Sequence, residues 1–142
     1  MPNESVARGY DLGPGKALPG GRPGVKALRR STAGSLTLIE ATIDGGPRHM
    51  HTREDESFYV LSGALDVECG QDRFHAEPGS FVFLPRNVPH ALRSVDGPAT
   101  TLVIATPGGL DEYFADLHTA IEADADPAEV AAIQAAHGIS LA

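Results

Sequence analysis

The chain has 142 residues, a length typical of one domain, and its 42% hydrophobic and 21% charged residues exclude a disordered chain. Nineteen acidic residues against eleven basic ones give a net charge of −8, which repels a phosphate backbone and excludes nucleic acid as a partner. No apolar run approaches the ~20 residues of a membrane helix, so a membrane is not expected as a partner either. The N-terminus has no apolar signal-peptide core and Cys69 is the only cysteine, so we expect a reducing cytoplasm. Nine arginines against two lysines favour a bacterial source.

Residues 1–24, which we call the arm, contain four prolines and six glycines and almost no apolar pattern. Two interpretations of the arm are open. It is either disordered, or it packs on a partner subunit with Tyr10 and Leu12 as its few anchoring side chains.

Residues 25–106 alternate between short β-type runs and turn residues. We predict strands at 25–30, 36–43, 56–61, 64–69, 73–76, 80–84, 90–94 and 99–106. Turns are expected between them, including one at 62–63 and one at 96–98. Strands at this spacing without intervening helices predict an all-β domain, either an antiparallel sandwich or a barrel.

Residues 107–142 predict a helical extension. Apolar residues recur there at helical spacing, at Leu110, Phe114, Leu117 and Ile121. This pattern indicates an amphipathic helix over 110–122. Asp126 then offers an N-cap, followed by Pro127 at the first helical position and Glu129 two residues later. A second helix is therefore expected to run to about residue 137 and to end at Gly138.

The residues that could bind a metal begin with a His-x-His pair. On an extended strand His49 and His51 point to the same side about 7 Å apart, so both imidazoles can reach one ion. Glu56 joins them only if the chain reverses through the polar residues before it, which include Glu54 and Asp55. Alternatively, the pair is two surface histidines at a solvated strand end, and the acidic residues form a charged turn.

A third histidine, His90, opens a strand after an apolar run and a turn bounded by Pro85 and Pro89. Asn87 can adopt the left-handed conformation that a tight turn needs, and Pro89 restrains the backbone directly before the imidazole. The alternative is a buried strand followed by a histidine that stands there by chance.

Together these residues resemble the two sequence motifs of the cupin superfamily. The first motif is glycine, five residues, His-x-His, three or four residues, Glu, six residues, glycine. The second is glycine, five residues, Pro-x-Gly, two residues, His, three residues, Asn. The matching positions are His49, His51, Glu56 and Gly63 in the first motif and Gly79, Pro85 and His90 in the second. The departures are Ile43, Asn87 and Ser94, which stand where the motifs have glycine, glycine and asparagine.

With its C-terminal helix the chain is similar to small single-domain cupins of the quercetin 2,3-dioxygenase-like group. The resemblance implies a double-stranded β-helix, a jelly-roll barrel whose mouth holds one divalent metal on His49, His51, Glu56 and His90. Three nitrogens and one carboxylate suit Fe(II), which we favour, and also Mn(II), Ni(II), Zn(II) or Cu(II). Four protein ligands on a six-coordinate ion leave two positions for substrate or O₂.

The function implied by the resemblance is a metal-dependent dioxygenase or other oxidoreductase that acts on a small aromatic or enolic compound, with Glu56 as the catalytic base. Two other functions need the same ligands. One is a non-redox isomerase, lyase or polyketide cyclase, and the other is a module that binds a small molecule without turnover.

Further candidates for substrate binding are Tyr59, Phe81 and Arg48, with Arg86 as a second cation near the presumed mouth. Phe81 and Phe83 share a face of their strand, and we expect that face to lie mainly in the core. Exposed sheet edges template unwanted pairing, and similar cupins are often homodimers, so we expect a homodimer.

Overall fold

The structure, a computed structural model, describes residues 7–142. Eight strands and two α-helices follow one another in this part of the chain. They are β1 (Val25–Ala27), β2 (Thr37–Ile43), β3 (His49–His51), β4 (Asp55–Cys69), β5 (Asp72–Ala76), β6 (Phe81–Leu84), β7 (His90–Thr106), α1 (Leu110–Glu122), α2 (Pro127–Ala136) and β8 (Ile139–Leu141). A single 3-10 turn follows β1. The predicted all-β class with C-terminal helices is confirmed.

The two longest strands, β4 and β7, form an antiparallel ribbon that runs through the whole molecule. Their register extends from Asp55 opposite Thr106 to Cys69 opposite His90. Near the start of β4, β6 pairs with β4 and β2 pairs with β7, and β1 pairs with the other edge of β2. Near the end of β4, β5 pairs with β4 and β3 pairs with β7, and β8 pairs with the other edge of β3. Two sheets, β1-β2-β7-β4-β6 and β5-β4-β7-β3-β8, therefore share this β4–β7 ribbon.

The turns predicted at residues 62–63 and 96–98 are bends within continuous strands, so the separate strands predicted on either side of them are wrong. Gly63 has a φ of 76°, and the register of β4 against β7 shifts on both sides of it, as at a β-bulge. Asp96 and Gly97 have φ values of 58° and 110°. A bulge of this kind bends a strand while the pairing on either side continues. Turn residues in a sequence do not distinguish such a bend from a turn that ends the strand.

The inward faces of the two sheets meet in one apolar core. Its buried side chains come from both sheets: Phe58, Val60, Leu65, Val67, Cys69, Ala76, Val82, Leu84, Ala99 and Val103. Within residues 7–142 the outer strands β1, β5, β6 and β8 each pair with a single neighbour. The sheets therefore face each other as a jelly roll and do not close into a continuous barrel.

The prediction that Phe81 and Phe83 lie in the core is wrong. They are 62% and 50% exposed, whereas Val82 and Leu84 are buried. Successive side chains of a strand point to opposite faces, and both faces of β6 carry apolar residues. The pattern alone therefore could not decide which pair points inward.

The described part of the arm, residues 7–24, lies against its own chain. The hydroxyl of Tyr10 donates a hydrogen bond to the carbonyl oxygen of Lys26 at 2.8 Å, and the amide of Leu18 donates to the carbonyl oxygen of Val25 at 2.9 Å. Leu12 is half-buried. Residues 1–6 of the predicted arm lie outside the described residues.

The C-terminal extension follows the prediction in its two helices and adds a strand. The side chain of Asp126 accepts a hydrogen bond from the amide of Glu129 at 2.8 Å, as an N-cap does. After α2 the chain turns at Gly138 and forms β8, which pairs with β3. Neither helix in residues 7–142 is both long and apolar enough to cross a membrane.

Candidate metal centre

Four side chains converge at one end of the jelly roll. They are His49 and His51 from β3, Glu56 from the start of β4 and His90 from the start of β7. One potential ligand atom from each lies within 4.8 Å of those of the other three. The structure therefore brings together the four residues that the sequence motifs singled out.

Each ligand is positioned by its place in the strand pairing. His49 is directly opposite His90 in the pairing of β3 with β7. His51 is two residues further along β3 and so faces the same side as His49. The backbone of His51 is fixed by its carbonyl oxygen, which accepts a hydrogen bond from the amide of Asn87 at 2.7 Å. β4 begins after a short turn, and Glu56 enters the site from the start of β4, in the facing sheet.

The ring nitrogens of His51 and His90 have no hydrogen-bond partner in the part of the chain that the structure describes. His51, Glu56 and His90 are 4%, 5% and 1% exposed. The Nε2 atoms of His51 and His90 lie 3.6 Å and 3.3 Å from Oε1 of Glu56, and neither has a hydrogen-bond partner within residues 7–142. Burial of such nitrogens without a partner is costly. A divalent cation between them and the carboxylate would satisfy all three groups, so the residues fit a metal ion.

Burial of one imidazole and a backbone contact of another suit them to metal binding. Burial lowers the pKa of His51 to about 4, so this imidazole is neutral near pH 7. Nδ1 of His49 lies 2.9 Å from the carbonyl oxygen of Pro47. Because a carbonyl oxygen only accepts, this contact places a proton on Nδ1 of His49, so Nε2 is the nitrogen that can bind a metal. Three imidazoles and one carboxylate suit divalent first-row metals.

A cavity of about 680 Å³ opens beside this cluster. His49 and Glu56 line it together with apolar side chains from both sheets: Val25, Leu28, Ile39, Ala41, Ile43, Phe58, Leu92 and Val103. The arm contributes residues 20–23, and the first turns of α1 contribute further lining, including Phe114. Small-molecule sites have this volume range and this combination of apolar walls with few polar groups.

The other residues predicted for substrate binding lie outside the lining of this cavity. Tyr59 and Phe81 are cross-strand neighbours on the outer face, 41% and 62% exposed. Arg48 donates to the carbonyl oxygen of Gly70 at 3.1 Å. Arg86 forms two side-chain hydrogen bonds with Asp55, at 3.2 and 3.3 Å. The cavity beside the metal ligands is therefore built from other residues.

One residue of the site, Glu54, has a place that the sequence did not reveal. Predicted as part of a charged turn, it is 5% exposed, and its Oε2 atom lies 3.8 Å from Nδ1 of His51. Burial raises its pKa. The one signal in the sequence is the spacing, because a carboxylate three residues after a ligand in a reversing chain can fold back onto that ligand.

Comparison with known proteins agrees with the fold. Residues 38–105 match the family model of the cupin domain. The chain is 26% identical over 114 residues to the quercetin 2,3-dioxygenase of Bacillus subtilis (strain 168), which is 78% of this chain but 34% of that enzyme. The chain therefore spans about a third of that enzyme's length.

A solved structure shows the same fold. KdgF from Halomonas sp. superimposes with a TM-score of 0.55 at 22% sequence identity, over 62% of this chain and 79% of KdgF. At this identity the likeness concerns the fold alone. The resemblance indicated by the two sequence motifs is confirmed by this match of residues 38–105 to the cupin-domain model.

Proposed function

We propose that this chain is a metal-dependent oxidoreductase, a dioxygenase that acts on a small aromatic or enolic compound. One observation carries the proposal: three histidines and a glutamate converge at the wall of an apolar cavity large enough for such a compound. The similarity to quercetin 2,3-dioxygenase supports the choice of dioxygenase chemistry. The homodimer and the cytoplasmic location expected from the sequence belong to the same proposal.

In this proposal His49, His51, Glu56 and His90 hold one divalent ion per chain, with Fe(II) as the favoured metal. When bound, such an ion supplies Lewis acidity and one-electron chemistry with O₂. A dioxygenase transfers both oxygen atoms of O₂ to the organic product, so the reaction consumes no further reductant.

The protein's own part begins with Glu56. Its carboxylate is 5% exposed and lines the cavity, so it can reach an acidic hydroxyl of a bound compound. Glu56 is therefore placed to accept that proton as a general base. The ring of Phe58 and the side chains of Ile43 and Val103 form apolar walls that bind a flat apolar substrate and exclude water from it.

The proposal is tested by screening enolic and phenolic compounds with the purified chain loaded with Fe(II) or Zn(II), with and without ¹⁸O₂. We expect turnover with Fe(II) but not with Zn(II), and none under anaerobic conditions. With ¹⁸O₂ the product should contain two labelled oxygen atoms. His90→Ala should abolish turnover because it removes a ligand. His75→Ala, a change of the same kind on the exposed strand β5, should leave turnover unchanged.

Two results would contradict the dioxygenase. Equal turnover with Zn(II) and without O₂ would show a non-redox isomerase, lyase or cyclase. Tight binding of compounds without any turnover would show a binding module.

A further inference from the structure

Glu54 is a buried acidic side chain that the proposed chemistry does not use. It lies in the turn between β3 and β4, and it is 5% exposed. Its Oε2 atom has no hydrogen-bond partner within residues 7–142. A buried carboxylate oxygen without a hydrogen-bond partner is unfavourable, so its presence here points to a role.

Nδ1 of His51 lies 3.8 Å from Oε2 of Glu54. Nδ1 is likewise buried and without a partner. The opposite ring nitrogen, Nε2, faces Oε1 of Glu56 at 3.6 Å. Glu54 and Glu56 thus lie on the two sides of one imidazole, and Glu56 is on the side of the other metal ligands.

His49 shows how a ligand of this site is oriented when its partner is in place. Its Nδ1 atom lies 2.9 Å from the carbonyl oxygen of Pro47, and its ring is fixed with Nε2 available. Glu54 has the corresponding position for His51, at a longer distance. A shift of about 1 Å brings Oε2 and Nδ1 to hydrogen-bonding distance.

We propose that Glu54 is a positioning residue for the metal centre: its carboxylate accepts a hydrogen bond from the Nδ1–H group of His51 when a metal occupies the site. This bond fixes the tautomer whose lone pair is on Nε2, and it orients the ring towards the metal. The inference rests on the proposed function, because it requires that the four ligands bind a metal. Outer partners of histidine ligands typically contribute 10–100-fold to metal affinity.

The experiment measures Co(II) affinity of the metal-free full chain by calorimetric titration, together with its free energy of unfolding in denaturant. Glu54→Leu removes the acceptor and keeps a side chain of similar size. We expect it to weaken Co(II) binding by roughly 10–100-fold. The unfolding free energy of the metal-free protein should be unchanged or higher, because an unpaired buried carboxylate has been removed.

Two further variants sharpen the result. Glu54→Gln keeps an amide oxygen that accepts from Nδ1–H, so it should lose less affinity than Glu54→Leu. The control is Asp55→Asn, which neutralises the adjacent carboxylate; that side chain accepts hydrogen bonds from Arg86. Its Co(II) affinity should stay within about twofold of the wild type, as for surface substitutions.

An independent readout uses the wild-type chain loaded with Zn(II). Nitrogen-15 NMR of the histidine rings should show the proton of His51 on Nδ1 and the metal on Nε2, and a proton on Nε2 would overturn the proposal. Unchanged Co(II) affinity in Glu54→Leu, or a loss of affinity as large in Asp55→Asn, would overturn it as well. A wild-type chain that binds no Co(II) would contradict the metal-dependent function itself.

Discussion

The candidate metal centre has two halves that the fold supports in different ways. Glu56 and His90 lie on the β4–β7 ribbon, whose strands are paired along nearly their whole length. His49 and His51 lie on β3, which has three residues and meets β7 through a single residue pair. Two ligands thus belong to the most strongly paired part of the molecule, while the other two depend on what holds a short strand.

The second support of β3 is the C-terminal strand β8. His51 is opposite Ile139 in their pairing, and the amide of Thr52 donates to the carbonyl oxygen of Gly138 at 2.8 Å. Ile139 is buried in a second apolar cluster with Leu110 and Tyr113 of α1. The helical extension is therefore part of the structure that positions the candidate metal ligands.

The largest effect expected from this comparison concerns Ile139. Ile139→Ala should lower the free energy of unfolding by roughly 2–5 kcal/mol, because it leaves a cavity between β8 and α1. Metal affinity should fall as well, since β3 loses a firm neighbour. Denaturant unfolding and Co(II) titration measure the two effects.

The matched control is Leu141→Ala in the same strand. Leu141 is 62% exposed, so its loss should change the unfolding free energy by no more than about 0.5 kcal/mol. Equal losses for Ile139→Ala and Leu141→Ala would show that β8 is not anchored through its buried side chain.

A smaller effect tests the bend of β4 at Gly63, within the β4–β7 ribbon. Gly63 and Gly79 both have positive φ angles, 76° and 91°, so an alanine at either position is strained by roughly 1–2 kcal/mol. A Cβ at Gly63 would also lie 2.8 Å from Cα of Ala99, whereas one at Gly79 would meet nothing within 4 Å. Gly63→Ala should therefore be less stable than Gly79→Ala by a further ~1–3 kcal/mol in denaturant unfolding. Similar losses for the two variants would show that the bend does not depend on this close approach.

The convergence of the four candidate ligands was predictable because they lie in local motifs. The spacing of His49, His51 and Glu56 is fixed by strand alternation and one turn, and His90 follows a turn marked by prolines. The helix at 110–122 was predictable for the same reason, because its apolar period is local.

The remaining features depend on contacts between distant segments. β8 has three residues and becomes a strand through its pairing with β3, so no local pattern marks it. The arm and α1 are far apart in the sequence, and they line one cavity only because the fold brings them together. Glu54 is acidic like its neighbour Asp55, and only the fold shows that the first is buried and the second pairs with Arg86.

The central claim is that His49, His51, Glu56 and His90 bind one metal ion, and a crystal structure of the chain grown with Zn(II) tests it most directly. Anomalous scattering at the zinc edge should show one ion per chain, within about 2.0–2.2 Å of Glu56 and the three histidines. A chain without bound zinc would contradict the account. So would an ion held instead by the exposed pair of His75 and Asp66, whose Nδ1 and Oδ1 atoms lie 2.8 Å apart.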